Sequence, residues 1–586
     1  MKLHIFAAAL AASSMLLTGC GDKFQEEYPW MMGDQGSIDT EDEAGLGAKD
    51  ITVLEKELRG AIPFMLNYSH EPNGSWQPHK YQYQRANNVD NYAGYWTTSK
   101  GTFTFGGPMP TLYTPDNDYL GGPIDNQLFQ QSKNAIFAAT ELGKPAWRAI
   151  ALIIQGYLGH ELTDFYGTIP FTDWRNNKRV PPLTYEKGED IYKQIFLDLD
   201  EAIAILKAEQ PSASELEKIE DPTKTISNGD WRRWVKFANS LKLRMAMNIV
   251  NVDPATAQAK AEEAIADGIG VLTDGDRDLA YASTDGHKSC IYQISVNWDD
   301  IRLGASLENI LKHFNNPLIN VWFDGFQYPI TEKNTGIQAD KSIYGIRPGI
   351  AMSNTTNKER NYGPFGIVHE NFSTMSQPFI KLSEVIFLRA EGALRGWAMG
   401  GTAQEFYEKG IRLMFEENKV YAQGGELDNY DVDAYINQET CDVVDYVDPL
   451  DFKHNTKGRV SIGVKWNEAD DDETKLEKII TQKYIGNFPM SAEAWTTFRR
   501  TGYPRLFPVY LNPMYPDVDY ELQIRRMTFK ETTNNALEMA SAKEALGAGG
   551  AQHGGIKVFW DNSDTWTRGD KSDDNPSNTI EARNNF

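Results

Sequence analysis

Apolar side chains recur at intervals of three and four residues along paired stretches of this chain, a spacing that restricts it to stacked amphipathic helices. The first such stretch runs over 50–66. It is followed by 125–142 with 145–164, then 184–208, 230–250 and 254–267. Trp147, Ile150, Ala151, Ile154, Leu158, Leu162 and Phe165 form one stripe, and Trp231, Trp234, Val235, Ala238, Leu241, Met245 and Ile249 form another. Each stripe must be covered by a neighbour, so consecutive helices stack as in tetratricopeptide solenoids, although no strict repeat of about 34 residues aligns. Asp230 is placed to cap its helix, because its carboxylate can accept N–H groups of the first turn. Helices return over 383–398, 402–417, 474–485, 491–500 and 534–546. The acidic run Asp470 to Glu473 reads as a solvated loop ahead of one of them.

No Pro/Gly/Ser-rich linker divides the 586 residues, so 49–586 reads as one mainly α domain. Its helical scaffold covers 49–268 and 379–546, and an irregular lobe with short strand-like runs is inserted over 270–378. The stretch from about 67 to 122, rich in aromatics and punctuated by Gly, Pro and Asn, is expected to be surface loop. With 41% hydrophobic residues the chain can build a large core. A net charge of −24 disfavours nucleic acid, whose binding requires clustered Lys and Arg.

Residues 1–19 read as a signal peptide. Lys2 supplies a positive start, and the 13 residues Ile5–Leu17 are apolar apart from Ser13 and Ser14. That is too short to span a bilayer, which takes roughly 20 apolar residues. Leu17-Thr18-Gly19-Cys20 matches a bacterial lipobox, which makes Cys20 the lipidation site and 20–48, rich in Gly and acids, a flexible tether. Asp22, Glu26 and Glu27 resemble the signals that send lipoproteins to the exterior face of the outer membrane. Cys290 and Cys441 are either a disulfide or two free thiols.

Two segments carry candidate ligand contacts. In the first, Trp76, Tyr81, Tyr83, Tyr92, Tyr95 and Trp96 alternate with Arg85, Asn88, Asp90 and other polar residues. Planar rings beside amides supply stacking for sugar faces and hydrogen bonds for vicinal hydroxyls. The second comprises Trp298, Trp322, Tyr328, Tyr344 and Arg347, where the strand-like setting of Trp322 also suits a core role. Packing of each ring against the helices is the competing reading. Catalysis finds little support. His160-Glu161 begins an HExxH-like string, but its second His is absent. No nucleophile elbow or P-loop occurs, although two carboxylates of a glycosidase could hide among 82 acidic residues. Asp274, Asp276 and Asp278 alternate as in a calcium loop, with Asp285 beyond, yet Leu279 stands where the turn needs Gly. Structural calcium is thus a minor expectation, and no other cofactor is implied.

Four stretches resemble signature segments of the SusD/RagB nutrient-binding lipoproteins, in that family's order: Leu162–Thr172, Trp231–Met247 with Arg244, Leu382–Gly396, and Ile479–Pro504 followed by Arg525-Arg526. The resemblance implies a SusD-like, right-handed scaffold of tetratricopeptide-like helix pairs with a loop-rich, irregular ligand-binding face. It further implies a non-enzymatic cell-surface receptor that captures oligosaccharide and delivers it to a SusC-like TonB-dependent porin. By analogy, binding loops arise in the early aromatic region. A peptide receptor of the RagB type is the alternative within the family. A surface glycoside hydrolase and a scaffold that binds only proteins are the alternatives outside it. The matched motifs themselves read as scaffold: Arg499 and Arg500 can bond carbonyls near a helix end, and Gly502-Tyr503-Pro504 stops that helix.

Overall fold

A computed structural model of the chain describes residues 50–65, 78–101, 124–176, 178, 181–221, 226–283, 288–325, 342–352, 362–363, 365–422, 427–529, 531–547, 549, 553–572 and 575–586. The signal peptide, Cys20, the tether, Trp76, Tyr328 and Asp285 lie outside these residues.

The main helices are α1 Ile51–Phe64, α2 Ile124–Glu141, α3 Pro145–Tyr166, α4 Gly188–Glu209, α5 Arg232–Asn248, α6 Pro254–Ala266, α7 Ala305–His313, α8 Leu382–Leu394, α9 Ala403–Asn418, α10 Asp472–Asn487, α11 Ser491–Thr501 and α12 Ala536–Leu546. Their starts follow local chemistry. The Asp50 carboxylate accepts the Thr52 N–H at 2.8 Å, and Pro145 occupies a first turn where a missing N–H is harmless. Thr402 and Glu405 cap α9 reciprocally. Asp230 accepts the Arg232 N–H at 3.0 Å, as its position implied. Two acids expected to be simply solvated have partners: Asp471 caps α10 through the Thr474 N–H at 2.7 Å, and Asp470 binds Lys478 at 2.6 Å.

Consecutive helices pack on one another from α1 to α6, and α8 packs on both α9 and α10. The stripes read from sequence are the buried faces, with Trp231 alone only half-buried. The chain is mainly helical, and its strands are short and paired two by two: β1 Trp96–Thr98 with β3 Ile301–Leu303, β2 Leu279–Tyr281 with β6 Gln377–Ile380, β4 Phe323–Asp324 with β5 Ile367–Val368, and β7 Thr567–Ser572 with β8 Asn575–Ala582.

Two local expectations need correction. Residues 78–92 are not surface loop. They form a short helix, the π-helical segment Gln82–Val89 and one further turn, largely buried. The inserted lobe is partly helical, containing α7 and a short helix Leu318–Trp322. The C-terminal region ends in the β7–β8 hairpin, which lies beyond the scaffold boundary drawn at 546. Cys290 and Cys441 are both free thiols.

The motif residues form buried ion pairs and hydrogen bonds that join segments distant in sequence. Arg244 of α5 donates two 2.7 Å bonds to Glu384 of α8 and a third to the Phe379 carbonyl. Arg500 of α11 grips Glu391 of α8 through two bonds of 2.7 Å, and Arg525 binds Asp561 at 2.7 Å. Arg499 bonds the carbonyls of Asp164 and Arg525, so it serves neighbouring segments as well as its own helix. Asp164 accepts from Tyr192, Trp560 and Asn248. Gly502 ends α11 at φ 73°, left-handed backbone that suits glycine.

Candidate functional site

Two π-helical segments, Gln82–Val89 and Gln293–Asn297, pack on the β1–β3 pair, the first against β1 and the second against β3. Such segments are rare and concentrate at functional sites. The second runs into Trp298 and then Asp299, whose φ of 62° is unusual for a residue with a side chain. This turn is tied down on every side. Lys100 donates to the Trp298 carbonyl at 2.7 Å and pairs with Asp300 at 2.6 Å. Gln82 also bonds Asp300, and Arg302 holds Asp299. Burial raises the Asp300 carboxyl, and Lys100 and Gln82 counter that rise.

Trp298 is thereby fixed with its indole packed on the core yet partly open to solvent, between the exposed Asn297 and Asp299. The Asn297 amide donates to Gln293 at 2.6 Å. A ring held rigidly beside amides can stack on a sugar face and bond its hydroxyls at small entropic cost. Both carboxylates of the corner are engaged by cations, so neither is poised as the free partner of an acid/base pair.

Five of the rings singled out from sequence, Tyr81, Tyr92, Tyr95, Trp96 and Trp322, are buried. Tyr95, Trp96, Trp322, Phe323 and Phe372 surround Phe488, with centroid separations of 4.3–5.8 Å. The Tyr95 hydroxyl donates to the Tyr484 carbonyl, and Trp322 Nε1 donates to Asn418 at 2.7 Å. Tyr81 donates to Asp90 and Tyr92 to Asn88, while Arg85 pairs with Glu161. All are buried, and none offers a ligand its surface in this conformation. Tyr83 lies in the π-helical segment, its side chain outside the described atoms. Arg347 is buried, bonding the carbonyls of His454 and Asn455. Tyr344 is half-buried against Phe365, with the Lys312 ammonium 5.1 Å from its ring centre. Sequence reasoning missed Lys100 and Asp300, which pair across about 200 residues and leave no local signal, and Gln293 and Asn297, whose amides bond each other within one π-helical segment.

The calcium reading loses its ligands: Asp274 pairs with Lys409, Asp276 with Lys236, and Asp278 accepts the Leu382 N–H at 2.8 Å. Among the described residues no cluster of His, Cys, Asp or Glu could hold a metal. Glu161 is occupied by Arg85, and burial drives His160 down to about 4, which leaves the HExxH-like string structural. A recess of about 480 Å³ lies near the start of α8, lined in part by Asp278, Lys381 and Glu417. Asp278 and Glu417 cap α8 there, Glu417 accepting Ser383 N–H and Oγ–H at 2.8 and 2.7 Å.

Stacked helix pairs carrying an irregular, rigidly braced corner define a helical-repeat scaffold. The chain belongs to the SusD-like family, described as SusD and RagB outer membrane lipoproteins, which matches residues 41–561. Among solved structures it is similar to a chitin-binding SusD homologue from Flavobacterium johnsoniae, at 31% identity and TM-score 0.70, over 86% of this chain and 98% of that one. A SusD homologue from Bacteroides thetaiotaomicron shares 28% identity at TM-score 0.72, over 87% and 98%. Another from Bacteroides uniformis shares 26% at TM-score 0.71, over 87% and 99%. No curated protein matches the chain. Among the described residues no helix is long and apolar enough to cross a membrane.

Proposed function

We propose that this chain is a non-enzymatic cell-surface receptor that captures oligosaccharide at the Trp298 corner and delivers it to a SusC-like TonB-dependent porin. Lipidation at Cys20 anchors it in the outer membrane with the body facing the exterior, and 20–48 forms the tether. The observation that carries the reading is the rigid, partly open Trp298 indole beside the Gln293 and Asn297 amides. Membership in a family of outer membrane lipoproteins supports it, as does the chitin-binding relative. Tyr344 contributes further ring surface. Trp76, Tyr83 and Tyr328 complete the set of ring candidates, whereas the buried rings around Phe488 hold the corner in place. Neither a metal nor another cofactor takes part.

Calorimetric titration of the mature chain with chitin oligosaccharides, other oligosaccharides and peptides tests this. Binding to an oligosaccharide that Trp298→Ala weakens about tenfold, with Tm unchanged, is expected. Affinity for peptides alone transfers the role to peptide uptake, favoured by the RagB members of the family. Released reducing ends convert the receptor into a hydrolase, and a partner protein as the sole ligand leaves only a scaffold.

A further inference from the structure

The recess of about 480 Å³ beside the start of α8 has a floor of small side chains. Ala280 stands opposite Pro378 in the β2–β6 pair, and Ala282 and Ser376 flank them, so space remains that larger residues would fill. Leu413 of α9, with Val420 and Tyr421 just beyond that helix, forms an apolar wall. Val420 is 78% exposed, which leaves this wall open to a ligand arriving from solvent. None of the side chains that brace Trp298 lines the recess.

Most charged groups around it are already matched: Asp276 pairs with Lys236, Glu416 with Lys419, and Glu417 with Lys381. Three are not. The Arg277 guanidinium makes no hydrogen bond or ion pair among the described residues. Arg233 bonds only carbonyls, from Nε to Ile226 at 2.8 Å and from Nη2 to Arg277 and Asp278 at 3.2 and 3.1 Å, so its Nη1 is left over and its guanidinium lies against the backbone of both neighbours. Asp278 uses Oδ1 to accept the Leu382 N–H at 2.8 Å, and its Oδ2 has no hydrogen-bond partner among the described residues. Burial pushes this carboxyl up to about 7, helped by the charge of Glu417 and opposed by Lys381, so a cation set against Oδ2 restores its ionised form. A simple anion would suit the guanidiniums but meet the carboxylate, and a simple amine would leave the guanidiniums unmatched. A ligand carrying an ammonium and a carboxylate on one carbon satisfies all three groups, and the apolar wall takes its side chain.

We infer that this recess binds a free apolar α-amino acid, with its ammonium on Asp278 Oδ2, its carboxylate on Arg277 and Arg233, and its side chain against Leu413, Val420 and Tyr421. The site uses none of the residues proposed for oligosaccharide capture, so the two readings fail separately. Ligand-observed NMR titration of the intact chain with L-leucine and L-phenylalanine tests it, beside N-acetyl-L-leucine, which lacks the ammonium, and L-leucinamide, which lacks the carboxylate. Arg277→Gln removes a guanidinium at an exposed position, and Asp278→Asn removes the charge while keeping an acceptor for the Leu382 N–H. The expected result is binding of an amino acid that weakens about tenfold in each variant and for each analogue, with Tm unchanged, and that Trp298→Ala leaves as it was. Native-like affinity in either recess variant overturns the inference, as does equal affinity for either analogue. Loss of amino-acid binding in Trp298→Ala overturns it by moving the ligand to the other corner. Absence of any amino-acid signal overturns it and leaves oligosaccharide capture untouched.

Discussion

Glu391 has no exposed surface and is held by Arg500 and Arg395 together. Burial alone would raise its carboxyl, but the two guanidiniums outweigh that and pull it down to about 2. Because the folded value lies below the unfolded one, its stabilisation is complete above about pH 4.5 and is lost as pH falls toward 2. Asp164 behaves oppositely. Burial pushes it up to about 7, so ionising it opposes folding as pH rises from about 4 to 7. Chemical denaturation across this range should show stability rising as pH falls from 7 toward 4 and then declining. Asp164→Asn should make the first limb shallower, the remainder coming from Asp278 and Asp90, which burial also raises, and leave the second. Glu391→Ala strands Arg500 without its partner and should cost about 3–5 kcal/mol, measured at pH 7.

At the scale of elements, helices were legible because their signals are local. Apolar spacing, Asp50, Pro145 and the Thr402–Glu405 box fix where α1, α3 and α9 lie, and each appears within a few residues of its expected place. The segment 78–92 was not legible. Its Asn, Gln and Tyr content reads as loop, yet burial against α11 and the Arg85–Glu161 pair hold it in π-helical form. Tertiary packing there overrides propensity. The same cause hid the candidate site: Tyr95 and Trp96 look like ligand rings in sequence, and packing on Tyr484 and Phe488, about 390 residues away, and on Phe323 makes them core. Replacing Gly502 tests a local rule. Gly502→Ala places a side chain in left-handed backbone beside Arg583, and should lower stability by about 1–2 kcal/mol in thermal melts, leaving the α1–α6 stack intact.

For the molecule as a whole, the ion pairs between α5, α8, α11 and the segment carrying Arg525 and Asp561 bind early and late sequence together. Unfolding monitored by Trp fluorescence and by far-ultraviolet circular dichroism should therefore coincide in one transition across both helical stretches. Cys20→Ala should release the chain from outer-membrane fractions and abolish palmitate labelling, while the purified body keeps its Tm. The rings around Phe488 are buried against one another, whereas Val296, Asn297 and Asp299 are exposed to solvent. A substitution at Val296 or Asn297 therefore changes the exposed surface and leaves the packed rings beneath as they are.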